Sequence, residues 1–304
     1  MQSFIKAEHI SKSYGNTLAL DDISFEVGQN EIFGFIGPDG GGKSTLFEIM
    51  TTLLIPDSGS GSVGGMDISK EYKQIRSKIG FMPGRFSLYQ DLSVAENLKF
   101  YANIFGTTIK ANYDLIKNIY DLLEPFSNRR AGDLSGGMKQ KLALCCALIH
   151  KPIALFLDEP TTGVDPVSRT EFWDNLAQIK KSGIPIVVST PYMDEAIRCD
   201  RVALIHNGRI LKMDTPANII KGFPGKVISL KTENKQKAKS LLSNMEGIES
   251  IYSFGDALHI TMNNSPEALK AVLDSKLEAE YQLAEIEPGF EDCFLQLMTE
   301  EKHV

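Results

Sequence analysis

Gly37-Pro38-Asp39-Gly40-Gly41-Gly42-Lys43-Ser44, with Thr45 behind, has the G-x-x-x-x-G-K-[ST] spacing of a phosphate-binding loop. The residue types suit polyphosphate chemistry. Glycines let the backbone curl so that its N–H groups point inward, and a helix N-terminus beyond them adds the positive end of a dipole. Lys43 is expected to reach the β- and γ-phosphates and Ser44 to hold Mg²⁺. A second group bears on the same chemistry. Ile153 to Leu157 reads as a buried strand ending in Asp158-Glu159. An acidic pair at that end places Asp158 to anchor Mg²⁺ through water and Glu159 to polarise an attacking water. Two further stretches are Leu134-Ser135-Gly136-Gly137-Met138, a glycine pair opening a helix, and the tight turn Gly163-Val164-Asp165-Pro166. Alone, each of these two is explained as an ordinary helix start and an ordinary turn. The first expectation is a nucleoside triphosphate site.

Those residues need strands and helices to hold them. Ile32 to Ile36 reads as a buried strand leading into the loop, and Lys43 to Met50 as the helix leading out. Residues 1–30 alternate as strands around a Gly15-Asn16 turn. Pro56 to Gly65 (PDSGSGSVGG) reads as a turn-rich hairpin corner. From Ser93 to about Leu123 the pattern turns helical, opened by the capping box Ser93 and Glu96. Ser135 to Ile149 is a second helical block; strands at 153–157 and 184–190 follow, separated by a helix from about Ser168 to Lys180. Alternating strands and helices predict an α/β fold with a doubly wound parallel sheet. After Phe223-Pro224-Gly225 the order is strand, helix, strand, strand, helix, strand to residue 286. That order is that of a small α+β, ferredoxin-like split βαβ domain. A last helix, FEDCFLQLMTEE, follows, and no long internal repeat is visible.

The composition narrows the classes. With 42% hydrophobic and 23% charged residues, the 304-residue chain is ordinary for a soluble protein of one or two domains. A net charge of −7 gives no basic footprint, so no nucleic-acid partner is expected. Cys145, Cys146, Cys199 and Cys293 show neither CxxC spacing nor a secreted disulfide pattern, which suits a reducing cytoplasm. MQSFIKAEHI lacks the basic-then-apolar order of a signal peptide. The longest apolar run, Leu142 to Ile149, falls short of the roughly 20 residues of a membrane helix.

In their order along the chain, the phosphate loop, LSGGM, the Asp158-Glu159 pair and GVDP resemble the ATPase subunits of ABC transporters, over roughly residues 3–222. The resemblance implies a P-loop NTPase core of ABC type at 1–222, with an inserted helical subdomain at about 86–150, and a ferredoxin-like accessory domain at 226–304. In that family two ATP-binding domains meet head to tail, each ATP held by the loop of one and the LSGG stretch of the other. Carried over, Gly37 to Thr45 and Asp158 would bind ATP and Mg²⁺, and Glu159 would be the catalytic carboxylate. Ser135, Gly136 and Gly137 would reach the partner's γ-phosphate in trans, and Asp165 would link the two sites. Tyr14 would stack on adenine; the alternative is a turn aromatic packed on its own strand. The implied partners are membrane-embedded permease subunits and a second ATP-binding domain, with the chain peripheral on the cytoplasmic face of the membrane. Glu287 to Phe294 (EPGFEDCF) resembles the ending of the drug-export branch, and Phe86 to Asn97 resembles its permease-docking region.

Two positions depart from the family. Glutamine usually follows a strand like Ile79-Gly80-Phe81-Met82-Pro83; here Gly84 does. Histidine usually follows a strand end like Ser189-Thr190; here Pro191 does, with neither polar side chain nor backbone N–H. One reading is drift with compensation by Arg85 or Tyr192. The other is the degenerate half of a heterodimer, whose LSGGM and Asp165 serve an intact partner. Beside the exporter subunit stand a nucleotide-gated subunit without useful catalysis and a soluble ABC-type ATPase.

Overall fold

Phe33 and Phe35 lie two residues apart on strand β3 (Ile32–Ile36), so both rings face one side of the sheet. There they meet Phe25 of β2 (Thr17–Val27) at 5.9 and 4.8 Å between ring centres. Phe35 also meets Phe47 of helix α1 (Lys43–Met50) at 6.0 Å, and Phe47 meets Phe156 at 6.1 Å, both edge to face. Such pairs add about 0.5–1.5 kcal/mol each beyond the area they bury. This aromatic ladder ties two sheets and a helix into one core, and it fixes the helix that carries the phosphate loop.

The computed structural model describes residues 3–243, 245–262, 266–277 and 279–301. The chain divides into two units, Met1–Pro216 and Ala217–Val304. In the first, β1 (Ile5–Tyr14) pairs antiparallel with β2 and with β4 (Ser58–Val63), and β5 (Met66–Asp67) closes a four-stranded sheet. The expected hairpin corner PDSGSGSVGG is therefore largely strand β4. Its small residues carry no hydrophobic alternation, and what fixes them is backbone pairing with β1.

Next come α2 (Tyr72–Lys78), β6 (Ile79–Met82), α3 (Val94–Ile104), α4 (Tyr113–Tyr120) and α5 (Gly136–Leu148). The capping box at Ser93 is present in both directions, Glu96 N to Ser93 Oγ at 3.2 Å and Ser93 N to Glu96 Oε2 at 2.8 Å. The rest of the unit is β7 (Ala154–Asp158), α6 (Pro166–Lys181), β8 (Ile186–Thr190), β9 (Arg201–His206) and β10 (Arg209–Asp214). The central sheet runs β10-β9-β3-β8-β7-β6, parallel from β9 to β6 with β10 antiparallel on the edge. β3, β7 and β8 are buried along their whole length, as strands covered on both faces must be. The expected doubly wound α/β sheet is present.

Helix α7 (Pro216–Lys221) opens the second unit, and its further elements follow. These are β11 (Lys226–Thr232), α8 (Lys235–Leu242), β12 (Ile248–Phe254), β13 (Ala257–Met262), α9 (Pro266–Lys276), β14 (Tyr281–Ile286) and α10 (Phe290–Glu301). Its sheet runs β12-β13-β11-β14, all antiparallel, which is the ferredoxin-like order. Leu230, Leu242, Leu258, Leu269 and Leu273, all fully buried, stand at its core. The EPGFEDCF stretch is where α10 starts. Asp292 accepts from Gly289 N and from His259 Nδ1, both at 2.8 Å, pinning the helix to β13.

Candidate nucleotide-binding site

The phosphate loop crosses from the end of β3 to the start of α1. Gly37 permits the crossing, because a Cβ there would lie 2.0 Å from the Ile205 carbonyl oxygen. Gly42 caps α1 at φ +100°, a backbone that other residues adopt only with strain. The glycine cap leaves the first turn without a side-chain hydrogen bond and without an acidic residue. No acidic residue of that turn competes for its N–H groups, the arrangement that suits an incoming phosphate. Gly208, in the turn between β9 and β10, holds the loop from outside, its N donating to Gly41 O at 3.1 Å.

Lys43 is 3% exposed. Its ammonium donates to Gly37 O and Pro38 O at 2.9 Å and pairs with Glu159 Oε1 at 3.2 Å. Asp158, 6% exposed, ends β7 and accepts from Ser189 Oγ. Glu159 takes a left-handed backbone at φ 47°, held by its N–H donating to Ser189 O at 3.1 Å and Ser189 Oγ at 2.9 Å. Ser44 and Thr45 open α1, Ser44 exposed. Lysine, acidic pair and helix start therefore converge at the carboxyl ends of β3 and β7, the two parallel strands that flank β8, where open α/β sheets bind ligands. Ser44 Oγ and the Asp158 carboxylate are hard oxygen donors, the type that would suit a Mg²⁺ bound with phosphate. Among the described residues no cluster of three or more His, Cys, Asp or Glu could hold a metal by itself.

Ser135 is the N-cap of α5, accepting from Met138 N at 3.3 Å, and it is exposed with Gly136. Asp165 is the N-cap of α6, accepting from Ser168 N at 3.0 Å, and that N–H holds its carboxyl below the usual range. The two helix starts touch: a Cβ on Gly137 would lie 2.5 Å from Ser168 Oγ. Ser135, Gly136, Gly163 and Asp165 are exposed beside one another, a Cβ on Gly136 lying 3.3 Å from Gly163 O, while Leu134 and Gly137 are buried behind them. Tyr14, 48% exposed, ends β1 opposite Thr17.

The family described as ABC transporter matches residues 20–162. The chain is 39% identical over 220 residues to the probable multidrug ABC transporter ATP-binding protein YbhF of Escherichia coli, covering 72% of this chain and 38% of that one. It is 34% identical over 292 residues to the Nod factor export ATP-binding protein I of a Rhizobium species, covering 95% of this chain and 94% of that one. A dimeric ATP-binding cassette in a post-hydrolysis state, bound to ADP and Pi, superposes with a TM-score of 0.63 at 25% identity, over 69% of this chain and 98% of that one. This chain belongs to the ABC transporter ATP-binding proteins.

Within this cassette, Gly84 follows β6 and opens onto Asp158. A Cβ there would meet Asp158 O and Oδ2 at 3.4 Å, ordinary contact, and Gly84 is not at positive φ. Nothing in the backbone demands glycine. Pro191 follows β8, and Tyr192 beyond it lies under the Arg169 guanidinium at 4.1 Å. After Gly84 the chain forms a loop clipped to α3 by Asn97, which is fully buried. Its amide accepts from Tyr89 N at 3.1 Å and donates to the carbonyls of Tyr89, Leu92 and Ser93 at 3.0–3.2 Å. Beside that loop is a cavity of about 190 Å³ lined by Phe81, Leu88, Tyr101, Phe105, Cys146 and His150, among others. His150 stacks on Phe105 at 3.7 Å and donates from Nε2 to Ile79 O at 3.0 Å; burial pushes its pKa down. All four cysteines are buried, and burial raises the Cys145 and Cys146 thiols well above their usual range.

Sequence reasoning missed Ser189, Gly208, Asn97 and Glu195. Ser189 and Thr190 did carry a signal, two hydroxyls ending an otherwise apolar strand. A buried hydroxyl needs a partner, and these find Asp158 and Glu195.

Proposed function

We propose that this cassette is the energising subunit of a membrane exporter and the degenerate half of a heteromeric pair of ATP-binding domains. The single observation that carries the reading is an asymmetry. At the chain's own phosphate loop, Gly84 presents no side chain to Asp158, and Pro191 presents neither donor nor N–H. The surface of Ser135, Gly136 and Asp165 keeps its exposed polar groups. The first set would act in cis and the second on a partner's ATP.

In this reading residues 1–222 form the ATP-binding domain and 226–304 an accessory domain. Gly37 to Thr45 bind the phosphates, Lys43 leaving Glu159 for the β- and γ-phosphates. Ser44 and Asp158 hold Mg²⁺, which when bound draws charge from the phosphate oxygens. Glu159, freed of Lys43, orients and polarises the attacking water. Tyr14 stacks on adenine. Without a glutamine at 84 the water and metal lose a contact, and without a histidine at 191 the γ-phosphate loses a donor, so turnover here is slow. Export is supported by the multidrug and Nod factor export relatives. The loop clipped by Asn97, with its adjoining apolar cavity, is the surface on which a permease would dock, placing the chain on the cytoplasmic face of the membrane. No helix among the described residues is long and apolar enough to cross a membrane. Gly84 and Pro191 also favour a second reading, a nucleotide-gated subunit with no useful catalysis of its own.

The test is Ser135→Arg in the full chain, co-purified with the subunits that it assembles with. Turnover of the complex is expected to fall on the order of 10²–10³, because the change blocks a donor to a partner's developing charge. ATP affinity of this chain's own loop should not change. Unchanged turnover would contradict the trans role.

A further inference from the structure

Glu195 is 3% exposed, yet both its carboxylate oxygens are filled. Thr161 Oγ1 donates to Oε1 at 2.8 Å, and Arg169 Nε donates to the same oxygen at 3.1 Å. Thr190 Oγ1 donates to Oε2 at 2.5 Å. These donors come from three separate segments. Thr161 lies two residues beyond Glu159. Thr190 ends β8, next to Pro191, and its carbonyl accepts from Gly37 N at 3.3 Å. Arg169 is in the first turn of α6, behind the Asp165 cap, and it reaches on to Asp194 at 3.3 Å and over the Tyr192 ring.

A buried carboxylate is a poor device for stability alone, since well-packed apolar residues often do as well or better. What it supplies is direction. Three segments are held to two oxygen atoms, and each adjoins a group named above: Glu159 before Thr161, the Asp165 cap before Arg169, and Pro191 after Thr190, whose carbonyl accepts from Gly37 N. We infer that Glu195 is a positioning residue that registers the Glu159 carboxylate against the Asp165 turn, acting through Thr161 and Arg169. Its carboxylate hydrogen bonds to Thr161, Arg169 and Thr190 lie outside the phosphate loop. This inference rests on the reading of Glu159 as the catalytic carboxylate. It assigns to Glu195 control of how fast the bound nucleotide reacts and not how tightly it is held. Misplacing a reacting group by about 1 Å costs up to a hundredfold in rate.

The experiment is single-turnover hydrolysis of radiolabelled Mg-ATP by the full chain, followed over hours, with trinitrophenyl-ATP affinity and hydrogen exchange measured alongside. Glu195→Ala is expected to slow hydrolysis roughly ten- to a hundredfold with affinity unchanged. Amide exchange should quicken in residues 159–165 and 189–193 and stay the same in 43–50. Glu195→Gln should recover most of the rate, because its Oε1 still accepts from Thr161 and Arg169. Thr161→Val, which removes one donor, should shift rate and exchange in the same direction by less, and it serves if Glu195→Ala does not fold. Wild-type rate and exchange in Glu195→Ala or Thr161→Val would overturn the inference, as would a loss of affinity that matches the loss of rate. Glu159→Gln separates the two readings. If it leaves hydrolysis intact, the assignment of Glu159 fails; if it stops hydrolysis while Glu195→Ala does not slow it, only the clamp fails.

Discussion

Lys43→Ala is expected to weaken ATP binding by this chain roughly ten- to a hundredfold, the equivalent of about 1.5–3 kcal/mol for a hydrogen bond to a charged group. Its effect on any hydrolysis at this loop should be larger, on the order of 10²–10³. The geometry gives the reason. Two loop carbonyls and Glu159 hold the ammonium within 3.2 Å, so exchanging Glu159 for a phosphate leaves it tethered to the loop with little freedom left to lose. Pre-organisation of that kind makes a donor effective. Alanine also leaves the Glu159 carboxylate, 20% exposed, without its cation. Thermal unfolding of the free chain should therefore be measured beside nucleotide titration. A loss of affinity in a variant that remains folded is the expected outcome; wild-type affinity would remove Lys43 from the binding site.

The second large effect runs the other way. Gly84→Gln together with Pro191→His should raise hydrolysis at this chain's own loop by on the order of 10² or more. Each restored donor to developing charge is worth about 10²–10³, but two groups at one site need not add. The backbone admits both changes. Position 84 has ordinary contact distance to Asp158 and no positive φ, so the glutamine Cβ enters without strain and its amide starts beside the carboxylate. At position 191 histidine restores an N–H as well as an imidazole, although the Thr190 hydroxyl already serves Glu195 and Tyr192 N and fixes the strand end. Steady-state phosphate release by the double variant, with each single variant alongside, measures the gain. A double variant no faster than the original would place the defect elsewhere, with Arg85 or Tyr192 as the groups to examine.

What the sequence made legible was local. The run from β3 through the phosphate loop to α1 could be read within a residue, because strand, glycines and helix follow one another in a fixed spacing. The Ser93–Glu96 capping box was legible for the same reason, both partners lying within one turn. Strand β4 was not. Its serines and glycines look like a turn, and only its pairing with β1, some fifty residues earlier, makes it a strand. The second unit's element order implied its sheet order, because a split βαβ leaves few ways to pair four strands. At the site, lysine, acidic pair and glycines announced themselves through motif spacing. The groups that hold them did not. Ser189 lies 31 residues from Asp158, and Glu195 lies 34 from Thr161, so these contacts exist only once the parallel strands are aligned.

The central claim is that this cassette binds ATP at a site that turns over slowly without a partner. ATP turnover by the purified full chain, followed across a wide range of protein concentration alongside nucleotide binding, tests it most directly. Tight binding with slow turnover, visible only over hours, and no rise in specific rate as protein increases, is the predicted result. Brisk turnover that climbs more than linearly with protein would mean a competent homodimer, and it would contradict the account.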